Sequence, residues 1–201
     1  MKIANLGFLA SYRGTNMQAI IDACKAGRLK ARPVVVISNN GSSGALDRAG
    51  SEGIPAYHLS STTFPDPRNL DQLIADTLVK HEAHLVILAG YMKRIGPQTL
   101  TAFQGRIINI HPALLPKYGG EGMYGRHVHE AVIAAGDTET GVTIHVVDDK
   151  YDHGPILAQR RIPVSPGDTA DSLADRVLAV EHAFYIETLE KILSGDIALP
   201  H

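Results

Sequence analysis

Asn109 and His111 stand two apart in the run Asn109-Ile110-His111-Pro112-Ala113-Leu114-Leu115-Pro116. In extended backbone, residues two apart face the same way, so this amide and imidazole project together. Such a pair suits acyl-type transfer, in which the amide donates to an oxyanion while the imidazole moves a proton. Pro112 stiffens the chain just beyond the histidine. The plainer reading, a histidine satisfying a strand-end carbonyl, stays open. Asp152, in the turn before Gly154-Pro155, is the third candidate. A carboxylate beside His111 would favour the imidazolium and raise its pKa above the ordinary value of about 6.5. An aspartate that only shapes its turn is the competing reading.

A second group lies near the N-terminus, in Arg13-Gly14-Thr15-Asn16. A helix that starts here turns backbone N–H groups and the positive end of its dipole toward an anion. Gly14 admits a phosphate closely, and Thr15 and Asn16 can donate. The pattern is neither Gly-x-Gly-x-x-Gly nor a glycine loop followed by lysine, so it points to a monophosphate rather than a dinucleotide or triphosphate. A plain strand–helix turn capped by Thr15 or Asn16 is the alternative. The ten histidines raise a metal reading, with His127, His129, His145 or His153 as ligands. On a helix, however, 127 and 129 do not share a face, and there is neither a cysteine cluster nor His-Glu-x-x-His. Metal catalysis ranks well below the metal-free reading.

The elements that must position these groups follow from periodicity. Ile3 to Leu9 reads as a buried strand. Asn16 to Ala26 reads as a helix, with Met17, Ile20, Ile21 and Cys24 on one face, which makes Cys24 a core residue. Strands follow at Pro33–Ser38, Ala56–Leu59, Leu85–Ala89 and Arg106–Ile110, with helices at Gly44–Glu52 and from Pro65-Asp66-Pro67 to about His81. This alternation predicts a parallel sheet with right-handed crossovers. The carboxyl end of the strand at 106–110, where open parallel sheets hold their ligands, carries Asn109 and His111. Beyond it come a glycine-rich loop (Gly119-Gly120-Glu121-Gly122) and a helix from Val128 to Ala135. The pattern of Gly141–Val147 and Ile156–Val164 predicts an antiparallel pair around the turn that carries Asp152. A helix from about Thr169 to Leu193 closes the chain. Thr169 is a candidate cap, with Asp171 and Ser172 departing from the strict capping-box pattern.

A chain of 201 residues can bury a full core without disulfides. The single cysteine fits a reducing compartment. A formal net charge of −2 argues against a nucleic-acid footprint, and Lys25, Arg28, Lys30 and Arg32 read as a solvated helix end. No apolar run reaches the ~18–20 residues of a membrane span, and the N-terminus lacks the pattern of a signal peptide. A cytoplasmic location is the expectation.

Together these residues resemble the phosphoribosylglycinamide formyltransferase family, over Ile3 to about Leu193. Gly14-Thr15-Asn16-Met17-Gln18-Ala19-Ile20 resembles its phosphate loop, and Ala89-Gly90-Tyr91-Met92 its Ala-Gly-Phe/Tyr-Met segment. Asn109-Ile110-His111-Pro112 with Leu114 to Tyr118 resembles the central signature. Asp152-His153-Gly154-Pro155-Ile156 resembles Asp-x-Gly-Pro, and Glu181-His182-Ala183 the late Glu-His pair. The resemblance implies an α/β fold: a Rossmann-like, mostly parallel sheet with helices on both faces, a C-terminal antiparallel extension and a long closing helix. It implies one formyltransferase domain over 1–201, with a phosphate-binding half (1–110) and a catalytic-loop and closing-helix half (111–201). It further implies transfer of the formyl group of N10-formyltetrahydrofolate, a cosubstrate, to the amine of 5-phosphoribosylglycinamide in purine biosynthesis.

Under the resemblance, Asn109, His111 and Asp152 are catalytic. Gly14, Thr15 and Asn16 hold the substrate phosphate, and Glu181 the ribose hydroxyls. Arg68, Met92, Lys93, Arg94, Ile95, Asn109 and the turn Asp148, Asp149, Lys150, Tyr151 and Asp152 line the folate pocket. Two small-molecule substrates are expected, without metal, nucleic acid or membrane; a homodimer is left open. The stretch from Gly119 to Arg126 departs from the family's Pro-Gly and His-x-His pattern as a longer insertion, and a loop of this kind can act as a mobile lid. Alternatives within the chemistry are a sugar-nucleotide or methionyl-tRNA acceptor, or formyltetrahydrofolate hydrolysis; those relatives usually carry a further domain. A non-catalytic nucleotide-binding module is the alternative from another class.

Overall fold

The computed structural model describes residues 3–200, so Met1, Lys2 and His201 of the ranges above lie outside the described residues. Seven strands form one sheet: β1 (Ala4–Ala10), β2 (Ala31–Ser38), β3 (Ala56–His58), β4 (Leu85–Leu88), β5 (Ile107–His111), β6 (Glu139–Val146) and β7 (Ile156–Pro163). Their order is β3-β2-β1-β4-β5-β6-β7. β1, β2, β3, β4 and β5 pair in parallel, and β6 and β7 add antiparallel. The expected architecture, including the antiparallel C-terminal pair, is the one observed.

The helices are α1 (Thr15–Lys25), α2 (Gly44–Ser51), α3 (Pro67–Lys80), α4 (Pro97–Ala102), α5 (Arg126–Ala134) and α6 (Ala170–Ser194). Strand alternation divides the core between the two faces of the sheet. Leu6, Phe8 and Ala10 of β1, Ile87 of β4, Ile108 and Ile110 of β5 and Val142 and Ile144 of β6 face one way, against α1, α2, α5 and α6. Leu9, Val86, Leu88 and Ile107 face the other way, against Ile74 and Leu78 of α3 and Phe103 just after α4. Asn109, His111 and His145 alternate with the first set, so their side chains leave the sheet on the second face.

Local chemistry explains the helix ends. Asp66 caps α3 by accepting from Arg68 and Asn69 N–H groups, and Pro67 occupies the first turn, where its missing donor is harmless. At α6, Thr169 Oγ1 accepts from Ser172 N–H while Ser172 Oγ accepts from Thr169 N–H. The departure expected at Ser172 is therefore corrected: a serine hydroxyl serves in the reciprocal role usually filled by Glu or Gln. Neither Thr15 nor Asn16 caps α1. Its N-cap is Gly14, in the left-handed region at φ 66° with no side-chain cap bond. α4, only six residues long, has no counterpart in the sequence reading.

Candidate active site

The strand order reverses between β1 and β4, so the chains leaving their carboxyl ends diverge and open a crevice. A cavity of about 690 Å³ fills it. The β1–α1 turn (Tyr12 to Asn16), the segment after β4 (Ala89 to Ile95), the end of β5, the glycine-rich loop and the β6–β7 turn wall it, and α6 contributes Leu178 and Glu181.

At one end stand Asn109, His111 and Asp152. Asn109 and His111 share the strand face as spacing requires, and Asp152 reaches them from the β6–β7 turn at φ 53°. Asp152 Oδ2 lies 3.5 Å from His111 Nδ1. The backbone N–H of Gly120 donates to the same oxygen at 3.1 Å. His111 Nε2 donates to the Tyr118 carbonyl at 2.7 Å. A carbonyl can only accept, so Nε2 carries a proton in every ionisation state, and Nδ1, beside Asp152, is the nitrogen that titrates.

His145 is a fourth member. It lies opposite Asn109 in the β5–β6 register. Its Nδ1 donates to the Val146 carbonyl at 3.0 Å. Its Nε2 is 3.1 Å from Asn109 Nδ2 and 3.5 Å from Asp152 Oδ1.

The electrostatics correct one expectation. Burial, with only 3% of His111 exposed, pushes its imidazole below the ordinary histidine value. The Asp152 carboxylate and the Tyr118 carbonyl push it up, and the charge of His145 pushes it down again. Desolvation wins, so Asp152 offsets the burial penalty without reversing it. For Asp152 itself, burial pushes the carboxyl up, but the His145 hydrogen bond, the His111 charge and the Gly120 N–H hold it below the usual range.

At the other end of the cavity, Gly14, Thr15 and Asn16 start α1, whose first-turn N–H groups lack intrahelical acceptors. Asn16 Nδ2 donates to Glu181 Oε2 at 2.8 Å. Burial raises the Glu181 carboxyl to about 7, against the lowering effect of that bond. Met92, Lys93, Arg94, Ile95, Asp148, Lys150 and Tyr151 all line the cavity. The Asp149 carbonyl accepts from Arg94 Nη2 instead. Arg68 lies outside the cavity, exposed on the first turn of α3 with its carbonyl bonded to Gln98. His127 is exposed beside Glu130, whereas His129, two residues on, is buried, so α5 separates them.

Residues 1–189 match the family described as formyl transferase. The chain belongs to the formyl transferase family. It is 37% identical to the phosphoribosylglycinamide formyltransferase of Escherichia coli (strain K12) over 195 residues, 97% of this chain and 90% of that protein. It is 44% identical to the chloroplastic phosphoribosylglycinamide formyltransferase of Vigna unguiculata over 193 residues, 96% of this chain. The chain spans 62% of the length of that chloroplastic relative. In three dimensions it resembles glycinamide ribonucleotide transformylase 1 from Symbiobacterium toebii, with TM-score 0.92, 37% identity and coverage of 99% of this chain and 92% of that one. The phosphoribosylglycinamide formyltransferase from Bacillus halodurans gives TM-score 0.88 at 38% identity, covering 94% and 95%. The fold, the enzyme class and the purine-biosynthetic family expected from the motifs are those of these relatives.

Sequence alone did not assign two residues of this site: His145, weighed only as a metal ligand, and Tyr118. His145 carried a signal: in Gly141 to Val147 it sits on the alternate positions with Thr143 and Val147, the face that pairs with Asn109. Tyr118 carried none, because it acts through its backbone carbonyl. Among the described residues, no helix is long and apolar enough to cross a membrane.

Proposed function

We propose that the protein transfers the formyl group of N10-formyltetrahydrofolate to the amine of 5-phosphoribosylglycinamide. The observation that carries this reading is one cavity with an anion-ready helix start at one end and Asn109, His111 and Asp152 at the other. The first-turn N–H groups of α1, approached past Gly14 with Thr15 and Asn16, take the phosphate. Glu181 accepts from the ribose hydroxyls. The segment from Met92 to Ile95 and the turn from Asp148 to Asp152 take the folate.

In the reaction, the glycinamide amine attacks the formyl carbon and a tetrahedral intermediate forms. The Asn109 amide donates to its oxyanion; loss of one such donor elsewhere raises a barrier by about 2.7–4 kcal/mol. The attacking nitrogen must lose a proton and N10 must gain one as the C–N10 bond breaks. His111 enters neutral, because burial lowers its pKa. It takes the proton at Nδ1, the only nitrogen with a free lone pair, and returns it to N10. The transient imidazolium then finds an acceptor on each nitrogen, the Tyr118 carbonyl and the Asp152 carboxylate. Asp152 thus acts most strongly when charge develops, which is where stabilisation accelerates a reaction. Cys24 takes no part: burial pushes its thiol up to about 11. A lone, half-buried thiol of this kind suits a reducing setting, and we place the enzyme in the cytoplasm.

The test is folate deformylation by purified protein, with and without glycinamide ribonucleotide. Acceptor-dependent turnover is expected. Equal turnover without acceptor would instead indicate a hydrolase, and none under either condition would remove the catalytic reading.

A further inference from the structure

His111 Nε2 is held by a carbonyl whose own position needs explaining. Tyr118 adopts the left-handed region, φ 57°, which disfavours a bulky residue. Two contacts oppose that preference, and both end on Asp137, in the turn between α5 and β6. The Tyr118 hydroxyl donates to Asp137 Oδ2 at 2.7 Å. The neighbouring Lys117 ammonium donates to the same oxygen. Lys117 Nζ also stands 5.0 Å from the centroid of the Tyr118 ring. Asp137 and Tyr118 line a separate small cavity and neither borders the one that holds the catalytic groups. Two residues after Tyr118, the chain gives the Gly120 N–H to Asp152. One short segment, 118–120, therefore contacts both members of the His111–Asp152 pair through its backbone.

We propose that Asp137 is a positioning residue for the transfer reaction: by pinning the Tyr118 ring from outside the site, it holds the Tyr118 carbonyl on His111 Nε2 and so fixes which histidine nitrogen carries protons. With the Tyr118 carbonyl in place, Nε2 stays protonated and Nδ1 alone exchanges. With the ring released, the left-handed turn relaxes, the carbonyl leaves Nε2, and the imidazole loses both its fixed tautomer and one group that raises its pKa. The involvement of His111 in turnover rests on the function proposed above; the hydrogen-bond arrangement does not.

The experiment reads His111 directly. In 15N-labelled full-length protein, long-range 1H–15N spectra across a pH titration report tautomer and pKa for the wild type, Tyr118→Phe, Asp137→Asn and Asp137→Ala. The wild type should show Nε2 protonated throughout and Nδ1 titrating. Tyr118→Phe, which removes one oxygen and keeps the ring, and Asp137→Ala should both give a mixed tautomer and a lower His111 pKa. Asp137→Asn, whose amide oxygen still accepts from the hydroxyl, should restore most of the wild-type pattern. In turnover assays, kcat should fall about 2- to 10-fold in Tyr118→Phe, the range of one net hydrogen bond, with both KM values within about twofold. An unchanged tautomer and pKa in folded Tyr118→Phe and Asp137→Ala would overturn the proposal. Absence of turnover in the wild type, with the expected spectra intact, would fault the proposed function and leave the positioning role standing.

Discussion

Glu181, the proposed ribose ligand, is a carboxyl group buried at the expense of stability. It is 8% exposed, its side-chain partner among the described residues is Asn16, and burial raises its carboxyl to about 7. In the proposed role Glu181 accepts best from sugar hydroxyls when ionised, and burial disfavours that form. The sign follows from linkage. With the folded pKa above the unfolded value, this group's contribution to stability is complete below about 4.5 and is lost as pH rises to about 7. A shift of this size corresponds to about 3 kcal/mol. Glu181→Gln keeps the shape and cannot ionise. Its melting temperature, measured by calorimetry from pH 5 to 8, should fall less with rising pH than that of the wild type. Its affinity for glycinamide ribonucleotide, measured in parallel, should drop and lose its dependence on pH near 7. Parallel melting curves for the two proteins would mean that Glu181 is not strained by burial.

The β6–β7 turn makes a corresponding demand on one element. A Cβ at Gly154 would stand 1.9 Å from the Val146 carbonyl oxygen and 3.0 Å from its carbon, both rigid backbone atoms. Only glycine lets the turn lie flat against the end of β6, and that closeness brings Asp152, two residues earlier, to His111 and His145. Gly154→Ala must push the turn outward. Displacement of a catalytic group by about 1 Å lowers rate on the order of 100-fold, and that loss should appear in kcat while the ribonucleotide KM stays near wild type. Gly50→Ala is the matched control: a Cβ there meets nothing within 4 Å, on a helix where alanine is the better former. Equal kcat in the two variants would show that the turn has slack.

What was legible at this scale was periodicity and one helix start. Alternation placed Asn109 and His111 on one face, and Asp66-Pro67 marked the start of α3 within two residues. What was not legible depends on burial or on backbone. The direction of the His111 shift needed the depth of its site. The Tyr118 carbonyl has no side-chain signature, and α4 is shorter than two turns of any periodic pattern. The capping role of Ser172 was underrated because a hydroxyl can replace the longer side chain when the geometry is close.

At the scale of the molecule, α6 joins the two ends of the cavity. Its 25 residues run along the sheet, packing on α1, α5, β6 and β7. Four residues after Glu181, on the same face of the helix, Tyr185 is fully buried. Its hydroxyl donates to the Ile108 carbonyl at 2.8 Å and lies 3.3 Å from the Leu88 carbonyl. Leu88 is the last residue of β4, and Ile108, the second residue of β5, immediately precedes Asn109. One helical turn therefore carries a cavity-lining carboxyl group and a bond that secures the strand bearing Asn109, the proposed oxyanion donor. Tyr185→Phe deletes that bond without opening a cavity and leaves the Ile108 carbonyl one donor short, a loss of about 0.5–1.5 kcal/mol. For a chain of this size the melting temperature should fall by roughly 1–6 °C. Because the freed carbonyl adjoins Asn109, kcat should drop along with stability when assayed well below the transition, while Glu181 keeps the ribonucleotide KM near wild type. A Tyr185→Phe protein with unchanged melting temperature would show that water or a shifted strand satisfies Ile108, and that α6 closes the fold by apolar packing alone.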